Sequence, residues 1–390
     1  MEIATNQTIT SNNKIKILFV TTGLETGGAE VMLYNLLSKI NRDLFEPTVI
    51  SMMDRGIYGE LIEQLDIPVH CVGMTAGKFN PSAAFNIVKS IEQIKPDIIQ
   101  GWMYHANLAV QFFKFLATKK IPILWSIHHS LHDLPSEKPL TQAIIRFGSW
   151  SSKFVSKVVF VSEKSQAQHH NIGYSKANSC VIPNGFNLAE FYSSAEVRAK
   201  FRQELGVSET TFLIGSIARY HPMKDHANFL RAASILLAEY PETKFVMLGS
   251  NVDWENQTLT ELIDKLGIAN SVYLLGRRGD IPQITPALDL VTSSSAYGEA
   301  FPLIIGESMS CQVPCVVTDI GDSAWIVGDT GKVIPPKNPT ALAKAWQEMI
   351  SMDRSHREGL GELARNRIVN NFSLTSVVSR YEQLYQSLAN

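Results

Sequence analysis

The 390-residue sequence predicts an α/β protein of two doubly wound, Rossmann-like domains facing across a cleft. Three observations carry that prediction. The length exceeds what a single hydrophobic core ordinarily serves, so two domains are the expectation. Short β-branched apolar runs alternate with amphipathic helical stretches, the pattern of parallel sheets covered by helices on both faces. Near residues 186–193 that alternation stops and restarts.

Residues 1–13 are polar, lack the apolar core of a signal peptide and are expected to be disordered. A first domain over 14–186 follows. It opens with a strand at 16–21 and a helix at 29–40, with further strands at 48–52, 69–72, 97–101, 121–127, 158–161 and 180–182. The second domain, 187–370, has strands at 212–218, 244–248, 272–275, 288–292 and 315–318. Helices at 225–238, 256–266 and 302–309 alternate with them, and two more, 340–350 and 354–369, close the domain. A final helix at 373–387, within a 371–390 segment, carries a serine cap. Repeats of solenoid period and low-complexity tracts are absent from the sequence.

Composition excludes several classes of function. A net charge of −2 argues against bulk nucleic-acid binding. The longest apolar runs fall short of the ~18–20 residues that span a bilayer. The four cysteines are scattered, and Cys311 and Cys315 are too far apart for a CxxC pair with no histidine at metal-ligand spacing beside them, so reduced structural thiols and a cytoplasmic protein are expected.

The motifs sit where strands end, which is where open α/β sheets bind ligands. Most informative is Glu299–Glu307, EAFPLIIGE, after the strand at 288–292. Pro302 is expected at the first helical position, where its missing N–H breaks no helix bond. Backbone N–H groups from Ala300, Phe301 and Leu303 then face an anion at the helix start. Glu307 lies about one and a half turns on. An ionised carboxylate only accepts hydrogen bonds, so it suits hydroxyls rather than phosphate. Together they suit a ligand with an anion and sugar hydroxyls; the other reading is a surface helix with a glutamate at its positive end.

Arg219 ends one strand and Lys224 opens the next helix, so both can meet a diphosphate, or else be solvated surface cations. Gly27 and Gly28, in TGLETGGAE, let backbone approach a phosphate or sugar, or merely form a turn. His128, with His129 and His132 nearby, ends a strand over the expected cleft and can bond a substrate hydroxyl. Adjacent histidines on a strand face opposite ways, which makes a zinc site a poor reading. Asn184-Gly185, in PNGF, reads as a hinge turn. Gly276-Arg277-Arg278 can present groups to a base edge or form a charged surface loop. A DxD metal motif is absent from the sequence, so basic side chains can take the metal's place beside a leaving diphosphate.

Taken together, GGAE at 27–30, His128, PNGF at 183–186, Arg219 with Lys224, Gly276, the Glu299/Glu307 pair and TDIGDSAWIVGDTG at 318–331 make the chain resemble glycosyltransferase family 4 of GT-B fold. The resemblance covers nearly all of 16–385, and implies that the 371–390 helix packs back on the first domain. It implies retaining transfer of a sugar from a nucleotide donor, expected to be a UDP-sugar, with no cofactor and no metal. His128, Arg219, Lys224 and Glu299 would be catalytic. The donor would be bound by Gly27, Gly28, Arg219, Lys224, Arg278, Glu299, Ala300, Phe301, Pro302, Leu303 and Glu307, the last at the ribose. Two positions depart from the family pattern: Ala300 replaces a usual glycine and Trp325 a frequent acidic residue. A catalytically silent sugar-nucleotide-binding subunit and a sugar-nucleotide epimerase are the alternatives.

The expected acceptor is a glycan or a lipid-linked sugar of surface polysaccharide assembly. Residues 114–164 hold eight basic against three acidic side chains. Phe112, Phe113, Phe115, Phe147, Trp150 and Phe154 are interleaved with them or flank them. Such a mixture over 112–157 suits peripheral contact with an anionic membrane surface, or a helix with a core-facing aromatic stripe.

Overall fold

A computed structural model describes residues 14–25, 27–75, 81–116, 120–131 and 133–389, with backbone alone for 81–86 and 113–116. The expected disorder of 1–13, His132, and the side chains of Phe113, Lys114, Phe115 and Lys119 lie outside the described residues. The strands are β1 (Ile15–Thr21), β2 (Phe45–Ser51), β3 (Val69–Cys71), β4 (Ile98–Trp102), β5 (Ile123–Ile127), β6 (Lys157–Phe160), β7 (Ser179–Val181), β8 (Leu213–Ile217), β9 (Lys244–Leu248), β10 (Val272–Leu274), β11 (Leu290–Ser293), β12 (Cys315–Thr318) and β13 (Lys332–Ile334). The helices are α1 (Gly28–Lys39), α2 (Gly56–Glu63), α3 (Pro81–Ile94), α4 (Tyr104–Leu116), α5 (Pro139–Ser151), α6 (Glu163–Asn171), α7 (Ala195–Glu204), α8 (His226–Leu237), α9 (Gln257–Leu266), α10 (Ile281–Ile284), α11 (Leu303–Ser310), α12 (Ser323–Val327), α13 (Pro339–Ser351), α14 (Arg354–Phe372) and α15 (Leu374–Ala389).

The chain forms two compact units, Met1–Ser126 with Phe154–Lys157 and Ser379–Asn390, and Ile127–Lys153 with Val158–Val378. In the first, parallel strands run in the order β3-β2-β1-β4-β5. Burial on both faces explains their continuous apolar runs, such as Ile17–Val20, all fully buried. Phe19 lies edge-on to Trp102 and Tyr385, each at 6.3 Å, and the Tyr385 hydroxyl donates to Gln100 Oε1 at 2.7 Å.

In the second unit β6 pairs with β7, and six parallel strands run β10-β9-β8-β11-β12-β13. Its strand residues alternate between two cores, as the period of two requires. Val246, Leu248, Val291 and Val317 face Phe201 of α7, Ile305 and Met309 of α11, and Ile368 and Phe372 of α14. Phe245, Met247, Leu290 and Val316 face Phe229 of α8, Ile263 of α9 and Trp346 of α13.

Some element boundaries differ from the sequence reading. The strand expected from Leu288 begins at Leu290, because residues 285–287 form a 3-10 turn. Pro302 is the N-cap of α11 rather than its first residue, with an extended ψ of 116°. α7, α12 and β13 are elements that the sequence reading left out.

The candidate active site

Within the second unit, the segments after β8 and β11 are stapled together. The 3-10 turn Pro222–Lys224 is shaped by His221, whose Nδ1 accepts from the Met223 N–H at 3.2 Å. Asp225 follows in the left-handed region, φ 48°, which an aspartate tolerates. Its carboxylate caps α8 by accepting from the Asn228 N–H. Two contacts bind this turn to the stretch after β11. The Ala296 N–H donates to the Met223 carbonyl at 2.7 Å, and Ser294 Oγ donates to the Lys224 carbonyl at 2.9 Å.

That staple brings Lys224 Nζ onto Glu299 Oε1, a charge-assisted pair between residues 75 positions apart. Ser295 Oγ donates to the same carboxylate oxygen at 2.8 Å, and Glu299 is 8% exposed. Thr318 Oγ1 in turn donates to the Ser295 carbonyl at 2.7 Å. Arg219, by contrast, is exposed at the end of β8.

The turn 299–303 is clamped from two sides. On one, the Asp322 N–H donates to the Ala300 carbonyl at 2.9 Å. Gly321 there has φ 54°, and a Cβ on it would lie 2.2 Å from the Glu299 carbonyl oxygen. On the other, Asn184 Nδ2 donates to the Phe301 carbonyl at 3.4 Å, and the Phe186 ring stacks on Phe301 at 6.1 Å and 24°. The same Phe186 ring occupies the space that a side chain at Gly306 would need, 2.1 Å from its Cβ position. The PNGF segment is therefore a bracket for EAFPLIIGE, a role its turn-like composition did not announce. Phe186 is itself held by Phe372 and Leu374, through backbone bonds of 2.9 Å each way.

No side chain caps α11. Its first-turn N–H groups keep the partial positive charge that favours an anion. Glu307, deeper on α11, was expected to be ionised. Burial pushes its carboxyl up to about 7, with the Glu190 charge adding to the shift. Half of these groups are then neutral at pH 7.

Other sequence candidates fall in different settings. His128 follows β5, and burial lowers its imidazole to about 3, so it is neutral at physiological pH. His129 bonds Glu137 Oε1 at 2.7 Å. Arg278 is engaged by Asp280 at 2.6 Å and Glu204 at 2.8 Å, which raises its already high pKa. Gly27 is the N-cap of α1, in the first unit, and Gly28 is that helix's first residue. All four cysteines are free thiols, and Cys311 and Cys315 are buried. Among the described residues, no three His, Cys, Asp or Glu side chains converge as a metal site would require.

Two family models match the chain, Glycosyltransferase Family 4 over residues 26–190 and Glycosyl transferases group 1 over 197–367. The chain belongs to glycosyltransferase family 4. This glycosyltransferase is 24% identical over 281 residues to the N-acetyl-alpha-D-glucosaminyl L-malate synthase of Bacillus anthracis, covering 70% of this chain and 69% of that one. It is 24% identical over 266 residues to the UDP-Gal:alpha-D-GlcNAc-diphosphoundecaprenol alpha-1,3-galactosyltransferase of Escherichia coli, covering 66% and 68%. Among solved structures, HepE of Anabaena in complex with UDP superposes with a TM-score of 0.84 at 26% identity, over 96% of this chain and all of that one. HepE with UDP-glucose gives 0.82 at the same identity and coverage. The two-sheet parallel architecture of the family-4 enzyme is therefore the GT-B fold expected from its sequence.

Proposed function

We propose that this glycosyltransferase moves a hexose from a UDP-sugar to a glycan or lipid-linked acceptor in surface polysaccharide assembly, with retention of configuration and without a divalent ion. The observation that carries the donor half is the 299–307 segment. An uncapped helix start, a Lys224–Glu299 pair and a half-buried carboxylate at Glu307 lie along one turn and one helix. Ala300, Phe301 and Leu303 offer the phosphates backbone N–H groups, and Pro302 sets the turn. Lys224, with Arg219, meets the negative charge that grows on the departing diphosphate. Glu299 and neutral His128 bond sugar hydroxyls, and Glu307 the ribose. Gly27 and Gly28, at the α1 N-terminus of the first unit, offer backbone that a phosphate or sugar can approach. Arg278, with its two carboxylate partners, orders the loop after Gly276 at the base.

The HepE structures with UDP and UDP-glucose support a uridine donor. Incubation with a panel of UDP-hexoses is expected to release UDP faster when a glycoside acceptor is present. EDTA is expected to leave that rate nearly unchanged, because cationic side chains do the neutralising. Activity lost in chelator and restored by Mg²⁺ or Mn²⁺ would overturn the metal-free part. Epimerised donor with no transfer would overturn the reaction class.

For the acceptor, α5 supports a membrane-borne lipid. Leu140 and Trp150 are 56% and 55% exposed, and Phe147 packs beside Trp150 at 5.6 Å. Lys153 Nζ sits 5.6 Å from the Trp150 ring. Aromatic and cationic groups on one exposed surface suit an anionic interface. The undecaprenol-linked substrate in the E. coli relative's name agrees with such an acceptor. Among the described residues no helix is long and apolar enough to cross a membrane. Sedimentation with anionic vesicles is expected to fall several-fold in Trp150→Ala and to weaken with salt; equal recovery of both proteins would remove the membrane contact.

A further inference from the structure

Asp322 lies in the TDIGDSAWIVGDTG stretch that leaves β12, at 2% exposure, and it joins two different segments of the second unit. Its backbone N–H donates to the Ala300 carbonyl at 2.9 Å, holding the 299–303 turn. Its carboxylate meets the start of α6, where Oδ2 accepts from the Glu163 N–H at 2.6 Å and Oδ1 from the Lys164 N–H at 3.1 Å. These are two of the N–H groups that a helix start leaves without an internal partner, and the helix dipole favours a carboxylate there. Charge-assisted bonds of this kind are roughly twice as strong as neutral ones. Lys164 Nζ adds an exposed pair with Asp319 at 2.5 Å, which contributes little by itself. α6 in turn grips the loop that follows His128. Ser165 Oγ donates to the His129 carbonyl at 2.6 Å. Gln168 Oε1 accepts from the Leu131 N–H at 2.9 Å and from Ser130 Oγ at 2.6 Å.

A connected path of hydrogen bonds therefore runs from Ala300 through Asp322 and α6 to the backbone beside His128. Gly321, which has no room for a Cβ beside the Glu299 carbonyl, fixes the backbone that delivers Asp322. Sugar transfer needs the phosphates and the group beside the sugar held at one separation, and an error of about 1 Å can cost up to about a hundredfold in rate. We propose that Asp322 is a positioning residue for the reaction: through α6 it sets the distance between the 299–303 turn and the His128 loop, without touching the donor. This rests on the assignment of 299–303 to the donor phosphates and of His128 to the donor sugar. The Asp322–Ala300 bond is made by main chain, so it survives a side-chain replacement at 322. A variant there frees α6 while leaving the phosphate turn in place.

The test is single-turnover release of UDP from the tightest-binding UDP-hexose of a glucose, galactose and N-acetylglucosamine panel, with water as acceptor. Calorimetric titration of UDP accompanies it. In Asp322→Ala the rate is expected to fall about ten- to a hundredfold, while the UDP dissociation constant stays at its wild-type value. Asp322→Asn, whose single amide oxygen can accept from one of the two N–H groups, is expected to lose less. Gln168→Ala, which releases the loop from α6, is expected to slow the reaction too. The Asp322→Ala/Gln168→Ala double variant is expected to lose less than the product of the two, because both cut one path. Should Asp322→Ala lose its cooperative melting transition, Asp322→Asn and Gln168→Ala decide, singly and combined. A wild-type rate in Asp322→Ala, UDP binding weakened as much as the rate, or losses that multiply in the double variant would overturn the proposal. If instead His128→Ala keeps the wild-type rate, the assignment of His128 fails first and takes the proposal with it.

Discussion

Replacing Lys224 with alanine is expected to lower turnover by about two to three orders of magnitude, the usual loss for one preorganised charge-stabilising group. The geometry adds a second effect. Lys224 is the cation paired with Glu299, a carboxylate buried at the 299–303 turn. Removing it leaves that charge with Ser295 Oγ as its remaining donor, at a cost of about 1–3 kcal/mol in stability. The double variant Lys224→Ala/Glu299→Gln separates the two effects. It is expected to regain the melting temperature, since no charge is stranded, and to stay slow. Turnover of Lys224→Ala close to wild type, with melting unaltered, would place the diphosphate elsewhere. Arg219→Ala is expected to follow with a smaller loss, because an exposed guanidinium works in a higher dielectric.

Glu307→Gln is expected to weaken UDP binding while stabilising the ligand-free protein above neutral pH. The Glu307 carboxyl titrates at about 7 in the fold against an ordinary 4.5, because burial penalises its charge. An acid raised by folding adds no penalty below about pH 4.5. The penalty grows between 4.5 and 7 and is complete above 7, so stability falls with rising pH through that window. At pH 8 the glutamine is therefore expected to melt a few degrees higher than wild type, and at pH 4.5 no higher. Ribose hydroxyls bonding the carboxylate favour its charged form, so UDP binding near pH 7 is expected to release roughly half a proton. The glutamine variant releases none. Calorimetry in buffers of different ionisation enthalpy reads the difference directly. Identical proton counts, with unaltered UDP affinity, would reduce Glu307 to a helix-face carboxylate.

The fold was legible wherever burial writes itself into composition. Strands such as Lys244–Leu248 and Cys315–Thr318 were expected within their observed limits, since both faces of each are covered. α7 was missed because half of it is charged, with Phe201 and Arg202 its buried residues. β13 was missed because three residues, one of them lysine, carry no period. At the site, the types and spacing of Glu299, Glu307, Arg219 and Lys224 were readable, as each follows a strand end. Their couplings were not. The Lys224–Glu299 pair spans 75 positions and the Asn184–Phe301 bond 117, and such contacts are products of topology. An Asn-Gly dipeptide is a turn signal whatever its amide will later touch. The raised pKa of Glu307 likewise depends on desolvation that a single helix pattern does not reveal.

The close approach of Gly321 and Gly306 to their neighbours bears on how such an enzyme diversifies. A methyl group at Gly321 would strike the carbonyl of Glu299, and one at Gly306 would strike the ring of Phe186. The main chain of the 299–307 segment is thus closed to gradual change, because even the smallest side chain at either site displaces it. Mutational drift toward a new sugar has to proceed through side chains resting on that fixed chassis. Ala300, on the turn itself, and Trp325, whose ring meets Phe301 edge-on at 5.9 Å, are two such side chains. Substrate range in this lineage would then evolve by refitting the walls of the pocket while the rail beneath it stays unaltered.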